Sequence, residues 1–335
     1  MTTIKDVAKA AGVSAMTASR VVNNKGNVNA DATERVRKAV KQLGYVRNSA
    51  ASSLRNIGGP TWTVGLILND VGNSFSAEIH RAVEDVMRGA GSLVLTASTD
   101  EDQDGMADLV DQFWARRIDG LILAPPPGSQ DYLNRALERG LPIVLVDRPA
   151  VGVDIPAVLS DGVAGLRAAT DHLIAQGHTK IGFVGDTRSL AMEGRFRGYR
   201  ERMNEEGLPL VPAFVCNDVE HVEEAAAAIA EMFAEEPHPT ALITARNAVT
   251  VGAIRALRRL KKQHEVALIG FDDLELAEEL EPALTVVAQD PYEIGRLAAQ
   301  VLLSKLADGE IKNLGVTVPT ELILRGSGEI LPRRS

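Results

Sequence analysis

Two groups of side chains in this sequence have the types and spacing to do chemistry. The first is Ala15, Met16, Thr17, Ser19 and Arg20, crowded between Ser14 and Val21. An arginine forks onto the O6 and N7 of guanine, a contact worth about 1–3 kcal/mol of discrimination. Ala15 and Met16 are apolar and suit thymine methyls, while Thr17, Ser19 and Asn23 are short donors suited to phosphate oxygens. The second group consists of polar residues that directly follow apolar runs: Asp70 and Asn73, Ser98, Asp147 and Arg148, Asp161, Asp272, and Gln289. Carboxylates and amides in those places can exchange hydrogen bonds with a small polar ligand. Taken singly, each such aspartate is more often a helix cap than a ligand.

The first group needs a short helix presented to solvent. Ile4, Val7, Ala8 and Ala11 fall at helical spacing and end in Gly12, where a tight turn takes positive φ. Val13 plugs the angle, and Ser14 is a good N-cap for a second helix running to about Val22. A third helix is expected from near Asn29, burying Val36, Val40 and Leu43 and stopping at Gly44. Two short helices joined by a glycine turn make a helix-turn-helix, whose second helix enters the major groove with its N-terminal residues leading.

The second group needs parallel strands. The runs WTVGLIL, SLVLTA, DGLILA, LPIVLVD, KIGFVG, TALIT, EVALIGFDD and LTVVAQD alternate with amphipathic stretches. Val-, Ile- and Leu-rich runs between helices indicate buried parallel strands, and ligands sit beyond the carboxyl ends of such strands. The fold class expected is α/β, with a three-helix headpiece in front of a parallel-sheet body.

Charge divides the chain at the same place. Residues 1–56 hold ten Lys and Arg against three acids, a net of +7, which leaves −16 for the rest of a chain whose total is −9. A basic head on an acidic body is the asymmetry expected when one module meets phosphate; on charge alone a solvated basic helix face fits equally. With 335 residues, two or three domains are expected. The single cysteine, Cys216, rules out an internal disulfide and a cysteine metal cluster, so a reducing, cytoplasmic setting is expected. The start, MTTIKDVAKA, lacks the apolar core of a secretory signal, and no run of apolar residues is long enough for a membrane span.

TIKDVAKAAGVSAMTASRVVN followed by VNADATERVRKAVKQLGYVRN resembles the headpiece of the lactose-repressor (LacI/GalR) family. The AGVS turn, the SRVVN helix end and the LGY exit stand at that family's spacing, and the likeness runs nearly to the C-terminus. It implies three domains: a DNA-binding headpiece (1–46), a hinge helix and linker (47–60), and an effector-binding and dimerisation domain (61–332). The last is built as two lobes, about 61–159 with 291–320, and about 160–290 with 321–332. It implies further DNA contacts from Asn27, Tyr45, Asn48, Ala51, Leu54 and Arg55. Leu54 matches a leucine that wedges into the minor groove and kinks the duplex; the other reading is that it packs on the core. Arg47 stands where the family usually has proline.

In the body the resemblance implies an effector cleft. Arg195 in EGRFRGY matches an arginine that holds ligand hydroxyls or carboxylates, and Asp272 in GFDD matches an acid that accepts from hydroxyls. Asn73 and Phe75 match a first-lobe loop. Arg246-Asn247 departs from the family's usual Asn-Asp or Asn-Asn. A long cation with five donors there either binds an anionic effector or neutralises Asp272 or Asp161 across the site. The partners implied are double-stranded operator DNA, a sugar, sugar derivative or nucleoside effector, and a second copy of the chain; no cofactor is called for. No heptad tail follows the last strand, so a dimer is expected rather than a tetramer.

Two other classes fit less well. An enzyme finds no support in Gly-x-Ser-x-Gly, His-Glu-x-x-His or phosphate-loop motifs, and the six histidines are scattered, with His178 in AQGHTKI reading as structural. A transport-type binding protein would fit the body but not the attached basic head.

Overall fold

The computed structural model describes residues 2–22, 26, 28–45, 59–308 and 315–333. The chain separates into two compact units, Met1–Thr61 and Trp62–Ser335.

In the first unit three helices form where local chemistry starts and stops them: α1 (Ile4–Ala11), α2 (Ala15–Val22) and α3 (Ala30–Gln42). The Asp6 carboxylate accepts from the Thr3 N–H at 2.8 Å while the Thr3 hydroxyl accepts from the Asp6 N–H, a reciprocal cap that holds Asp6 below the usual carboxylate range. Gly12, at φ 62°, closes α1 in the left-handed region. The Ser14 hydroxyl accepts from the Thr17 N–H at 3.1 Å to start α2, and the Asn29 side chain accepts from the Asp31 N–H at 2.9 Å to start α3. Val7, Ala8, Ala11, Ala18, Val21, Val36 and Ala39 make the core. Val40 is only half-buried and Leu43 is 38% exposed, contrary to expectation. Two eight-residue helices, each about 12 Å long, cannot cover the whole of a 13-residue helix of about 20 Å.

The second unit holds two six-stranded sheets. The first contains β1 (Thr63–Leu68), β2 (Leu93–Ser98), β3 (Gly120–Leu123), β4 (Ile143–Val146), β5 (Ala157–Ser160) and β11 (Gly315–Val318), in the order β11-β5-β4-β3-β1-β2 and parallel throughout. The second contains β6 (Ile181–Val184), β7 (Val215–Cys216), β8 (Ala241–Thr244), β9 (Ala267–Phe271), β10 (Thr285–Ala288) and β12 (Glu321–Ile323), in the order β12-β10-β9-β8-β6-β7. Only β12, paired with β10, runs antiparallel. Strand for strand the two orders correspond, so β4 holds in one sheet the place that β9 holds in the other.

Eight helices cover the sheets among the described residues: α4 (Ser74–Gly89), α5 (Gln103–Ala115), α6 (Asn134–Glu138), α7 (Gly162–Ala175), α8 (Leu190–Glu205), α9 (Val222–Met232), α10 (Asn247–Arg259) and α11 (Pro291–Asp308). Each sheet is apolar on both faces. Leu66 and Leu68 of β1 point into one cluster and Ile67 into another, as the two-residue period requires. The chain passes between the lobes three times, after β5, after β10 and after β11. The first and last passages are tied together: the Asp161 N–H donates to the Val318 carbonyl at 2.9 Å, and the Thr320 hydroxyl donates to the Asp161 carbonyl at 3.1 Å. Among the described residues no helix is long and apolar enough to cross a membrane.

Helices α7 and α8 pack closely through Gly198, where a Cβ would lie 2.4 Å from the Val163 carbonyl oxygen. Gly198→Ala is therefore expected to push α8 off α7, at a cost of about 1–3 kcal/mol. Thermal denaturation checks this as a loss of several degrees in Tm; an unchanged Tm would mean that the helices part without cost.

Candidate functional site

The exposed face of α2 is the first part of the site. Ala18 and Val21 turn inward, which leaves Ala15, Met16 and Arg20 outward, with Met16 67% exposed. Thr17 and Ser19 are half-buried, and the Thr17 hydroxyl lies 2.9 Å from that of Ser14. The five α2 residues singled out from sequence thus share one short helix, and its leading end is built by the Ser14 cap. Tyr45 packs, half-buried, against the core of the head, and its N–H donates to the Val40 carbonyl at 3.0 Å. Asn23, Asn27, Asn48, Ala51, Leu54 and Arg55 lie outside the described residues.

The second part is a cleft between the two sheets, where the carboxyl ends of their strands face each other. Asn73, Phe75, Asp147, Arg148, Arg195, Arg246, Asn247, Asp272 and Gln289 all line it, joined by apolar Leu68, Ile79 and Met192. This part of the cleft has a volume of about 50 Å³, and it adjoins a hollow of about 720 Å³ that shares Phe75, Asp272 and Gln289. The lobes touch across it. The Asn247 side-chain amide of one lobe donates to the Asn73 side-chain carbonyl of the other at 3.0 Å, and that carbonyl also caps α4 by accepting from the Phe75 N–H.

Asp147 and Asp272 occupy corresponding places, directly after β4 and β9. Both take left-handed backbone conformations, φ 65° and 68°, which non-glycine residues adopt at a cost. Burial pushes the Asp272 carboxyl above its usual range, opposed by the Arg195 charge, by the Gln289 amide donating at 2.6 Å and by the Asn247 N–H. Arg195, on α8, is 3% exposed. Its Cζ lies over the Phe271 ring, 3.7 Å from the centroid, and it donates one Nη to the Ala245 carbonyl at 2.6 Å. Burial lowers its pKa, and its Nε has no hydrogen-bond partner. A buried guanidinium with donors to spare and a half-buried carboxylate near it can grip vicinal hydroxyls, which both accept and donate.

The arginines at the other end of the cleft are already paired. Arg148 makes a two-pronged bond to Glu101, Nη1 to Oε2 at 2.6 Å and Nη2 to Oε1 at 2.7 Å, and its Nε lies 3.4 Å from Asp147. Arg246 lies between Asp186 (3.3 Å), Glu220 (3.5 Å) and Glu101 (3.6 Å). Glu220 is also paired with Arg188. The partners expected for Arg246, Asp272 and Asp161, are not among these; the loops after β2, β6 and β7 reach it instead. Burial works to raise the pKa of Glu101, but the Arg148 hydrogen bonds and the charges of Arg148, Arg246 and Arg188 hold it below the usual carboxylate range.

Three strand-end residues do not line this cavity. The Ser98 hydroxyl accepts from the Val71 N–H at 3.1 Å, pinning the loop after β1. Asp70 folds the same loop by accepting from the Gly72 N–H at 2.7 Å. Asp161 caps α7, accepting from the Ala164 N–H at 2.9 Å, and borders a neighbouring hollow of about 300 Å³ that shares Asp147 and Arg195. Glu101, Asp186 and Glu220 went unnoticed in the sequence. Asp186 follows the KIGFVG run directly and met the same rule as the others, whereas Glu101 stands three residues past its strand and Glu220 four. His178 is structural as read: fully buried, its ring nitrogens lie 2.9 Å from the Thr240 hydroxyl and 2.8 Å from the Ile330 carbonyl. Among the described residues no group of histidine, cysteine and carboxylate side chains is placed to hold a metal ion.

Comparison with known proteins agrees with both parts. The model for bacterial regulatory proteins of the lacI family matches residues 3–48, and that for the periplasmic binding protein-like domain matches residues 170–328. The chain is 33% identical over 333 residues to the ribose operon repressor of Halalkalibacterium halodurans, covering 97% of this chain and 96% of that protein. Among solved structures, the complex of the transcriptional regulator CelR with cellobiose is 28% identical, with a TM-score of 0.73, over 98% of this chain and 100% of that one. The Lac repressor dimer bound to operator and the anti-inducer ONPF shares the fold, with a TM-score of 0.85 at 24% identity over 98% of this chain and 99% of that one. The chain belongs to the lacI family of bacterial regulatory proteins and is a DNA-binding transcriptional regulator, not an enzyme.

Proposed function

We propose that this regulator is a cytoplasmic repressor that binds a near-palindromic operator as a dimer and lets go when a sugar, sugar derivative or nucleoside occupies the inter-lobe cleft. In this reading residues 1–46 are the headpiece, 47–60 the hinge and linker, and 61–332 the effector-binding and dimerisation domain. The observation that carries it is the convergence of nine sequence-predicted residues on one cleft, with buried Arg195 and half-buried Asp272 close enough for their charges to interact. The relatives named as a ribose operon repressor and as a regulator in complex with cellobiose favour a sugar.

Two heads on a two-fold dimer meet two half-sites in register. Arg20 reads a guanine, Ala15 and Met16 meet base methyls, Thr17 and Ser19 hold phosphates, and Leu54 wedges the minor groove between paired hinge segments. Ligand binding shifts the lobe arrangement and separates the hinge segments. The shift equals the difference in ligand affinity between the two states, of the order of 1–3 kcal/mol. Fluorescence anisotropy on an operator duplex at fixed salt, with sugars and nucleosides titrated in, tests the reading; tighter operator binding with ligand would reverse its sign and make the ligand a corepressor.

Two substitutions separate the parts. Arg20→Ala is expected to weaken operator binding roughly 5- to 150-fold and to relax preference at one base pair. An equal loss on every sequence would assign Arg20 to phosphate instead. Asp272→Asn is expected to keep operator affinity and abolish the ligand response, and an intact response in the same titration would place the effector elsewhere.

A further inference from the structure

We infer that Glu101 is a specificity-determining residue: it fills the anion seat of the cleft with the protein's own carboxylate and so restricts the effector to uncharged molecules. This rests on the reading of the cleft as the effector site. Arg148 belongs to the first lobe and Arg246 to the second, and among the described residues Glu101 is the carboxylate paired with both. Its two oxygens meet the two Nη atoms of Arg148 side by side, the geometry in which a guanidinium takes a carboxylate or phosphate from a ligand. Without Glu101, the Nη groups of Arg148 would keep only the Pro125 carbonyl, 3.5 Å from Nη1, in a side chain that is 8% exposed.

The loop that delivers this carboxylate is built for fixed delivery. Asp100 and Glu101 are consecutive non-glycine residues in the left-handed region, φ 51° and 64°. The Asp100 N–H donates to the Asn69 carbonyl at 2.9 Å, and the Asp102 side chain caps α5 immediately afterwards. Arg246 has Asp186 and Glu220 besides, so neither arginine has an uncompensated charge. Around the void, the buried polar atoms left without partners include the Arg195 Nε and the Gln289 Oε1. With the carboxylates of Asp147 and Asp272, these match hydroxyl groups rather than a second anion.

The test is chemical rescue of the full-length protein. Glu101→Ala vacates the seat, and acetate is expected to bind there, giving a saturable rise in Tm of about 3 °C that chloride at equal ionic strength does not give. Wild type and the space-filling Glu101→Gln are expected to show no such rise. If acetate and chloride act alike on Glu101→Ala, the inference is overturned. Should Glu101→Ala not fold, a second pair decides: Glu101→Gln combined with Arg148→Met must recover the Tm that Glu101→Gln alone loses, and additive losses overturn the inference. Operator affinity and sugar response are read in parallel. Rescue by acetate with no sugar response in wild type would remove the effector reading and leave the anion seat standing.

Discussion

A parallel sheet delivers the carboxyl ends of all its strands to one edge, and in this protein two sheets, parallel but for β12, present such edges to each other across a narrow gap. That constraint generates the rest of the site. Residues just past the strands must be polar because the gap admits water and ligand, yet they are shielded enough that their charges have to be paired. Asp147 and Asp272 take left-handed turns directly after β4 and β9, and their N–H groups are tied to the neighbouring strands through the Val158 and Val287 carbonyls. Burial then acts in opposite directions on neighbours: it disfavours the charged form of Asp272 and equally that of Arg195, and each charge offsets part of the penalty on the other.

The head obeys a different economy. With seven small and medium side chains in its core, it gains little from burial, and three capping arrangements at Thr3, Ser14 and Asn29 fix its helix starts instead. A surface methionine alone is unremarkable. Met16 gains meaning from its setting beside Arg20 on the leading part of a helix whose inner face is occupied by Ala18 and Val21. The net charge of +7 on the first 56 residues draws that helix toward phosphate, while the acidic body, at −16, is kept off it.

Much of the architecture was legible because the governing signals are local. Each of the eight apolar runs is a strand, and the head's helices begin and end where their caps stand. Of the four missed strands, β7 and β12 have only two and three residues, and β7, β11 and β12 lie at sheet edges where burial is incomplete, so no continuous apolar run marks them. For the cleft, the strand-end rule found the residues that follow their strands directly and go nowhere else. The side chains of Ser98 and Asp161 instead satisfy backbone N–H groups nearby and do not line the same cavity, a competition that sequence alone does not decide. The rule missed Glu101, which the loop brings back through two left-handed residues, and it did not foresee the partners of Arg246, which arrive from three separate loops.

Two of the three passages between the lobes are stitched to each other through Asp161, Val318 and Thr320. A joint of adjoining strands behaves like the spine of a book: it bends readily about one line and resists twisting about any other. Two lobes joined in this way are expected to move by bending along that line more readily than by twisting across it.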